Sequence, residues 1–246
     1  MAKKRRLDVA LVETGLCETR EQAQRAVMAG QVRLDERVLN KSSVLVEPGA
    51  NLRVVAQPKY VGRGGLKLEG ALDHFRIDPA GRVGLDIGAS TGGFTDCLLQ
   101  RGASKVYAID VGHGQLAWKI RSDPRVVVRE NLNARQLTRA DIPEPIDICV
   151  IDVSFISLTL ILPNAFELIT PTGVILALIK PQFELQPQDV GCGGIVADPA
   201  LHGKVQRKIA EFVQAQGKLV DGITPSAITG MDGNQEFFIC ARKPSE

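Results

Sequence analysis

The sequence predicts a mostly parallel α/β fold of seven strands, preceded by a small α+β domain. Two observations predict the larger fold: short apolar runs alternate with amphipathic segments, and several of the runs end in an acid or a lysine. A third observation predicts where the two parts join, because the composition breaks at Gln57-Pro58-Lys59-Tyr60. We therefore divide the chain into residues 1–59 and 60–246.

Charge is distributed unevenly between these two parts. The first 59 residues carry 11 Lys and Arg against 7 Asp and Glu, whereas the remainder carries 19 against 21. A basic small domain beside a near-neutral larger one predicts a polyanionic partner for the first part. The alternative is a solvated charged face, and charge alone does not decide between the two.

Composition bounds the environment of the protein. Asp8 and Glu13 interrupt any apolar run near the N-terminus, so we expect no signal peptide. The central apolar run 174–179 is far shorter than the roughly 20 residues of a membrane span. The 5 cysteines are scattered and form no C-x-x-C pair, which predicts a cytoplasmic protein with neither disulfides nor a metal.

The stretch 83–94 has the pattern of a strand, a tight turn and the start of a helix. An apolar run ends in Asp86, which we expect at the carboxyl end of the strand, beneath a ligand. Glycines follow at Gly88, Gly92 and Gly93, where the missing Cβ lets the backbone approach that ligand. In an open α/β sheet a nucleotide-like cofactor binds at this place. The alternative is a glycine-rich turn that binds nothing.

The spacing of these residues favours one class of cofactor. A dinucleotide site has the form G-x-G-x-x-G, whereas this chain has D-x-G-x-x-x-G-G. The pattern resembles motif I of S-adenosylmethionine (SAM)-dependent methyltransferases, a Rossmann-like class, and the resemblance adds Ser90 and Phe94 to the predicted cofactor site.

Polar residues at two further strand ends support an adenosine-containing cofactor. Asp110 follows the second apolar run and is suited to bind ribose hydroxyls, in either NAD or SAM. Asn131 follows the third run, 126–129, and we expect it at the adenine edge.

Two later strands, 146–155 and 173–179, carry Asp152 and deliver Lys180. Because parallel strands end at one edge of a sheet, we expect this pair in the same crevice as the cofactor. An acid and a lysine beside a methyl donor can bind a sugar hydroxyl and favour loss of its proton. The alternative is a salt bridge that only joins two strands.

The remaining pattern predicts further elements of the larger domain. A helix is expected to open at 112–116, another to cover 158–169, and a third 202–216. Residues 184–199 lack periodicity and predict a functional or mobile loop. Segments 220–228 and 236–240 predict the last two strands.

The first 55 residues predict two helices and several short strands. Thr19 and Gln22 have the spacing of a capping box that opens the second helix, 20–29. The pattern resembles an S4-type RNA-binding domain, on the segments 19–27, 30–35 and 47–49. The resemblance implies that phosphate contacts come from a basic set, although ordinary surface roles are the alternative. That set is Arg20, Arg25, Arg33 and Lys41.

Six motifs in order resemble the TlyA family, in which an S4 domain is joined to an FtsJ-like 2′-O-ribose methyltransferase. They are Arg63-Gly64-Gly65-Leu66-Lys67-Leu68, the stretch 86–94, Asp110-Val111-Gly112-His113-Gly114-Gln115-Leu116, Asp152-Val153-Ser154-Phe155-Ile156-Ser157, Lys180-Pro181-Gln182-Phe183-Glu184 and Asn234-Gln235-Glu236-Phe237-Phe238. The resemblance implies SAM as cofactor and ribosomal RNA, or a ribosomal subunit, as partner.

The resemblance also implies a catalytic tetrad of Lys67, Asp152, Lys180 and Glu236. Lys180 is expected to activate the ribose 2′-hydroxyl while Asp152 and Glu236 orient and tune it, and Lys67 completes the charged ring. Without the resemblance, Lys67 has the setting of a lysine beside an apolar stripe. We also place Arg63 among the RNA contacts.

Cytidine 2′-hydroxyls in 16S and 23S rRNA are the targets that the resemblance implies. The chain stops at Glu246, and the short form of the family is associated with 23S rRNA alone, so we expect that target. Three alternatives stay open: an RNA-binding protein with an idle α/β domain, a membrane-lytic protein such as the haemolysin label suggests, and a nicotinamide dehydrogenase. The oligomeric state is not predicted.

Overall fold

The computed structural model describes residues 4–55, 58–230 and 232–244. The chain divides into two compact units, Met1–Pro58 and Lys59–Glu246. Gln57 of the predicted hinge and Glu246 at the predicted end of the second domain lie outside the described residues.

The first unit packs two helices against short antiparallel strands. Its elements are β1 (Arg5–Arg6), α1 (Leu7–Glu13), α2 (Arg20–Met28), β2 (Val32–Leu34), β3 (Arg37–Val38), β4 (Leu45–Val46) and β5 (Leu52–Val54). Thr19 caps α2, because its hydroxyl accepts the Gln22 N–H at 3.2 Å. Strand β2 pairs with β3 and β5, and β1 pairs with β4. The core of this unit includes Leu7, Leu11 and Val27.

The second unit is a seven-stranded sheet with helices on both faces, which confirms the predicted fold class. Its helices are α3 (Gly64–Phe75), α4 (Gly93–Gln100), α5 (Trp118–Arg121), α6 (Leu162–Leu168), α7 (Pro181–Glu184) and α8 (Pro199–Ala215). Its strands are β6 (Val83–Ile87), β7 (Lys105–Ile109), β8 (Val126–Arg129), β9 (Ile146–Ile151), β10 (Ile169–Ile179), β11 (Leu219–Pro225) and β12 (Phe237–Arg242).

The strand order is β11-β12-β10-β9-β6-β7-β8. Five strands, from β10 to β8, are parallel, and β12 pairs antiparallel with both β10 and β11. The central strands are apolar almost throughout because one core cluster lies on each face of the sheet. Phe166 belongs to the first cluster and Phe238 to the second. The parallel pairing of β10, β9, β6, β7 and β8 brings the carboxyl ends of these five strands to one edge of the sheet.

Two predicted helices differ in the structure. The expected helix 158–169 is a 3₁₀ turn, Leu158–Leu160, followed by α6, whose first turn contains Pro163. Proline lacks an N–H and fits only the first turn of a helix, so its position fixes where α6 begins. No helix opens at 112–116: there the Gly112 N–H binds the Asp110 carboxylate at 2.7 Å and the Gly114 N–H binds Glu130 at 2.9 Å.

Strand boundaries also differ from the prediction. Strand β10 begins at Ile169, before the predicted 173, with a shift of register against β9 between Ile169 and Val174. Strand β11 ends at Pro225, and β12 begins one residue after Glu236. The predicted loop 184–199 contains two 3₁₀ turns, Pro187–Asp189 and Cys192–Gly194.

Two further searches cover only the residues that the structure describes. No helix among them is long and apolar enough to cross a membrane. In the same ranges, no three His, Cys, Asp or Glu side chains cluster in a way that could hold a metal ion.

Asp8 is a buried charged hub in the first unit. Its carboxylate accepts the Arg6 guanidinium at 3.0 and 3.1 Å, Arg20 Nε at 2.9 Å and Gln24 Nε2 at 2.9 Å. The hydrogen bonds from Arg6 outweigh burial and hold the pKa of Asp8 well below its usual range. The carboxylate therefore fastens the start of α1 to the start of α2.

We predict that Asp8→Asn loosens the first unit at neutral pH. We expect the free energy of unfolding of this unit to fall by roughly 2 kcal/mol, which is typical of hydrogen bonds to a buried charged group. A lowered folded-state pKa stabilises fully above the unfolded value of about 4, and that contribution is lost as pH falls further. Hydrogen exchange of amides in α1 and α2 of the full chain measures this.

The difference in protection between wild type and Asp8→Asn should be largest at pH 7 and should shrink below pH 4. Amides of β9 in the second unit serve as an internal control. Equal protection of the two proteins at pH 7 contradicts the assignment of Asp8 as a hub.

Candidate active site

The glycine turn after β6 lies against the end of β9. Gly88 has φ +87°, and a Cβ built on it would stand 2.3 Å from the carbonyl oxygen of Asp152. Any residue other than glycine would therefore force the turn and the β9 end apart. Ser90, in the same turn, is also left-handed with φ 48°.

Asp110 fixes the loop that faces this turn. One carboxylate oxygen accepts the Ser90 N–H at 2.7 Å, and the other accepts the Gly112 N–H at 2.7 Å. A carboxylate oxygen has two lone pairs, so each keeps one for a further donor such as a hydroxyl.

Between these loops lies a first cavity of about 500 Å³. Its floor and sides come from the ends of β6, β7 and β9 and from the segment after β8. Its lining includes Gly88, Ser90, Ile109, Asp110, Val111, Gln115, Leu132, Asn133, Arg135, Asp152 and Phe155. The volume and the mixture of apolar walls with a few polar groups are typical of a small-molecule site.

Asp86 does not line the first cavity. The side chain is fully buried; one oxygen accepts the Thr95 hydroxyl at 2.6 Å, and the other has no hydrogen-bond partner among the described residues. Burial raises the pKa of Asp86 to about 7. The side chain of this predicted cofactor residue thus binds the first turn of α4 and does not face the cavity.

A second cavity, of about 520 Å³, adjoins the first. Five residues line both: Gly88, Ser90, Asp152, Ser154 and Phe155. The second cavity brings together all four residues of the predicted tetrad, which come from α3, the ends of β9 and β10, and the residue before β12.

Lys180 and Asp152 form one ion pair of this cavity. Lys180 Nζ lies 2.5 Å from Asp152 Oδ1 and donates to Ser154 Oγ at 2.9 Å. Only 11% of the lysine side chain and 20% of the aspartate side chain are exposed. The amine is thus held from two sides at the carboxyl ends of the adjacent strands β9 and β10.

Lys67 and Glu236 form the second ion pair. Lys67 Nζ donates to Glu236 Oε2 at 2.6 Å, with 10% and 3% of the side chains exposed. A charge at such a depth needs a partner, because removal of either leaves the other desolvated and unpaired. The pair explains why Lys67, on an apolar stripe, does not reach solvent.

The other predicted site residues fall into two groups. Arg63, Gly93 and Phe94 line the second cavity. Gly92 and Asn131 line neither cavity. Asn131 is exposed with φ 56°, and its neighbours Leu132 and Asn133 face the first cavity in its place. The turn after β8 therefore presents different residues from the one predicted.

The four basic residues predicted in the first unit have different surroundings. Arg20 is bound to Asp8, although 55% of its side chain is exposed. Arg33 is half-buried and donates to the Glu36 carbonyl at 3.4 Å, whereas Arg25 and Lys41 are exposed.

Phe155 was not predicted as a site residue. It is 90% exposed, has φ 63°, and lies between the two cavities. Its ring centroid is 4.9 Å from that of Phe183. The sequence does contain a signal for it: Phe155 follows Asp152 by three positions, and a residue so close to the end of a parallel strand lies at the edge of the sheet where ligands bind.

This sheet order, with a glycine turn after β6 and an acid after β7, defines an α/β methyltransferase domain. A family model described as FtsJ-like methyltransferase matches residues 60–243, and an S4 domain model matches residues 5–52. The chain belongs to the FtsJ-like methyltransferase family and carries an S4 domain.

Named relatives match nearly all of the chain. The Bacillus subtilis protein YqxC is 49% identical over 247 residues, covering 100% of this chain and 88% of the relative. A Mycobacterium tuberculosis protein named 16S/23S rRNA (cytidine-2′-O)-methyltransferase TlyA is 44% identical, covering 100% and 92%. Hemolysin A of Brachyspira hyodysenteriae is 42% identical, covering 95% and 98%.

We predict that Asp86→Asn stabilises the protein at alkaline pH. With a folded pKa near 7 and an unfolded value near 4, the native state binds the extra proton between these limits. Stability from this group therefore falls as pH rises from 4 to 7, and an amide removes the loss. Melting temperatures at pH 5 and pH 8 measure it.

The melting temperature of Asp86→Asn relative to wild type should rise from pH 5 to pH 8. Asp123→Asn is the control: hydrogen bonds from Arg125 lower the pKa of Asp123, so this carboxyl titrates below pH 5 and its difference in melting temperature from wild type should stay constant between pH 5 and pH 8. A constant difference for Asp86→Asn across this range contradicts the prediction.

Proposed function

We propose that this protein transfers a methyl group from SAM to the ribose 2′-hydroxyl of a cytidine in ribosomal RNA. One observation carries the proposal: two lysine–carboxylate pairs face a cavity that shares five lining residues with the glycine-turn cavity. The name of the relative from Mycobacterium tuberculosis supports the substrate. An rRNA substrate in turn implies a cytoplasmic location.

The first cavity suits SAM. The free lone pairs of Asp110 can accept both ribose hydroxyls, and Val111 and Leu132 offer apolar contact to an adenine ring. When bound, SAM supplies an electrophilic methyl group on a sulfonium. The lining shared by the two cavities lets a donor in one reach an acceptor in the other.

Lys180 is proposed as the group that handles the proton of the 2′-hydroxyl. Nζ is ion-paired with Asp152 and donates one hydrogen bond to Ser154, which leaves a position on the nitrogen for the substrate oxygen. The ammonium of the ion pair must first give one proton to solvent; the neutral amine then has a lone pair for the proton of the 2′-hydroxyl while the oxygen bonds the methyl carbon and the carbon–sulfur bond breaks. Asp152 and Ser154 hold the Lys180 side chain in place, so less conformational freedom is lost when the amine meets the hydroxyl.

The other three members of the tetrad are proposed to shape the cavity around that step. Asp152 holds Lys180 and offers its second oxygen to the ribose. Glu236 and Lys67 compensate each other, so the opposite wall carries hydrogen-bonding groups without an uncompensated charge. Phe155 provides a ring face on which a base turned out of its stack can lie.

Residues 1–59 are proposed as the RNA-binding domain and residues 60–246 as the methyltransferase domain. The S4 match and the basic charge of the first unit support this division. Arg25, Lys41 and Arg33 are proposed as phosphate contacts, and Arg63 as a contact at the second cavity. Arg20 is proposed to bind phosphate with its exposed edge while it stays paired with Asp8.

Transfer of tritium from labelled SAM to separated 30S and 50S subunits of an unmethylated strain tests the proposal. We expect label on a cytidine 2′-oxygen in the wild type and at least a 100-fold slower rate for Lys180→Ala, typical of losing a general base. Mapping of the nucleotide tells 23S from 16S rRNA, with 23S as our expectation.

Lys105→Ala is the matched control, because Lys105 pairs with Glu144 and lines neither cavity. It should transfer methyl groups at the wild-type rate. Undiminished transfer by Lys180→Ala overturns the assigned chemistry, and the absence of label from both subunits with intact RNA binding favours an idle domain.

Removal of single basic residues from the first unit should weaken subunit binding. We expect Arg25→Ala and Lys41→Ala each to reduce the slope of log affinity against log salt by about 1, as for one lost phosphate contact. Arg207→Ala, on the exposed side of α8, is the control. An unchanged slope for Arg25→Ala and Lys41→Ala contradicts their assignment.

A further inference from the structure

We propose that Glu184 is a positioning residue for the RNA substrate, because its buried carboxylate holds the segment that displays Phe155. This inference rests on the proposed function. Glu184 ends α7, four residues after Lys180, and only 2% of its side chain is exposed. It lines neither cavity, so its effect on the reaction must pass through other residues.

The carboxylate of Glu184 binds the segment that follows β9. One oxygen accepts the Leu158 N–H at 2.7 Å, and the other accepts the Ser157 hydroxyl at 2.6 Å. The backbone pairing of β9 with β10 ends at Ile151 and Ala177, so it does not reach these residues. Glu184 therefore continues the link between the two strands beyond the sheet.

Lys208 on α8 completes the network. Its Nζ donates to the Glu184 carboxylate at 3.0 Å and to the Glu184 carbonyl at 2.7 Å, while 45% of its side chain is exposed. The lysine offsets the charge of the carboxylate, and its hydrogen bonds among the described residues go to Glu184 and not to Ser157 or Leu158. Removing it leaves the link between the two segments in place.

Phe155 is the residue that this link constrains. A left-handed conformation is strained for a residue with a Cβ and a bulky ring, and it persists only where the surroundings impose it. Lys180 holds the segment on one side, through Asp152 and Ser154. Glu184 holds it on the other side, through Ser157 and Leu158.

The same carboxylate also sets the distance between two aromatic rings. Phe183 precedes Glu184 on α7, and Phe155 lies two residues before Ser157, so the link brings both rings to the mouth of the second cavity. Without it, Phe155 can relax to an ordinary conformation and turn its ring away from the cavity.

The test compares wild type, Glu184→Gln, Lys208→Met, Phe155→Ala and the double variant Glu184→Gln/Phe155→Ala. For each protein we measure methyl transfer to the ribosomal subunit that accepts tritium in the experiment above, binding of that subunit, SAM affinity and melting temperature. Glutamine keeps the length of the side chain but cannot accept both donors with two carboxylate oxygens.

We expect Glu184→Gln to lower kcat/KM for RNA at least ten-fold and SAM affinity by less than three-fold. Lys208→Met should lower kcat/KM by less than three-fold, even if its melting temperature falls as much as that of Glu184→Gln. The double variant should be no more than three-fold worse than Phe155→Ala, because both changes remove the same display of the ring. Ser157→Ala should also lower kcat/KM, by a smaller factor than Glu184→Gln. It replaces Glu184→Gln as the test variant if Glu184→Gln does not fold.

Three results overturn the inference: wild-type kcat/KM in Glu184→Gln, a loss fully matched by weaker SAM binding, or multiplicative effects in the double variant. A wild-type chain that transfers no methyl group instead overturns the proposed function. Subunit binding then decides the inference, since Glu184→Gln must weaken it as Phe155→Ala does.

Discussion

The ion pair between Lys180 and Asp152 depends on a single constraint, the parallel pairing of β9 and β10. Neighbouring parallel strands end at the same edge, so a lysine after one strand meets a carboxylate after the other. The rest of the site is arranged around this pair: Ser154 accepts an N–H of the lysine, and Lys67 with Glu236 closes the opposite wall. Burial makes both pairings obligatory.

Much of this arrangement could be predicted from strand ends. Asp110 and Asp152 each follow the last residue of a strand, and both line a cavity as expected. Asp86 was expected beside them, but it lies within β6, one residue before the strand ends at Ile87. Successive residues of a strand point to opposite faces, so one position decides between cavity and core. The sequence pattern does not locate a strand end to one residue.

Contacts between distant segments were the part that residue patterns could not supply. Lys67 and Glu236 are 169 positions apart, and only resemblance to a family suggested that they belong together. The partners of Arg20 and of Glu184 are likewise set by packing, as is the turn after β8 that exposes Asn131. The predicted helix at 112–116 was wrong because a carboxylate, and not a backbone carbonyl, accepts the Gly112 N–H.

The contact between Gly88 and Asp152 has a consequence for how such domains can change. Because the turn touches the backbone of the residue whose carboxylate faces Lys180, the loop that lines the first cavity and the carboxylate that lines the second are coupled. A longer turn, or one without this glycine, displaces the carboxylate as well. Transplanting the loop into another α/β scaffold therefore requires the end of the neighbouring strand to be transplanted with it.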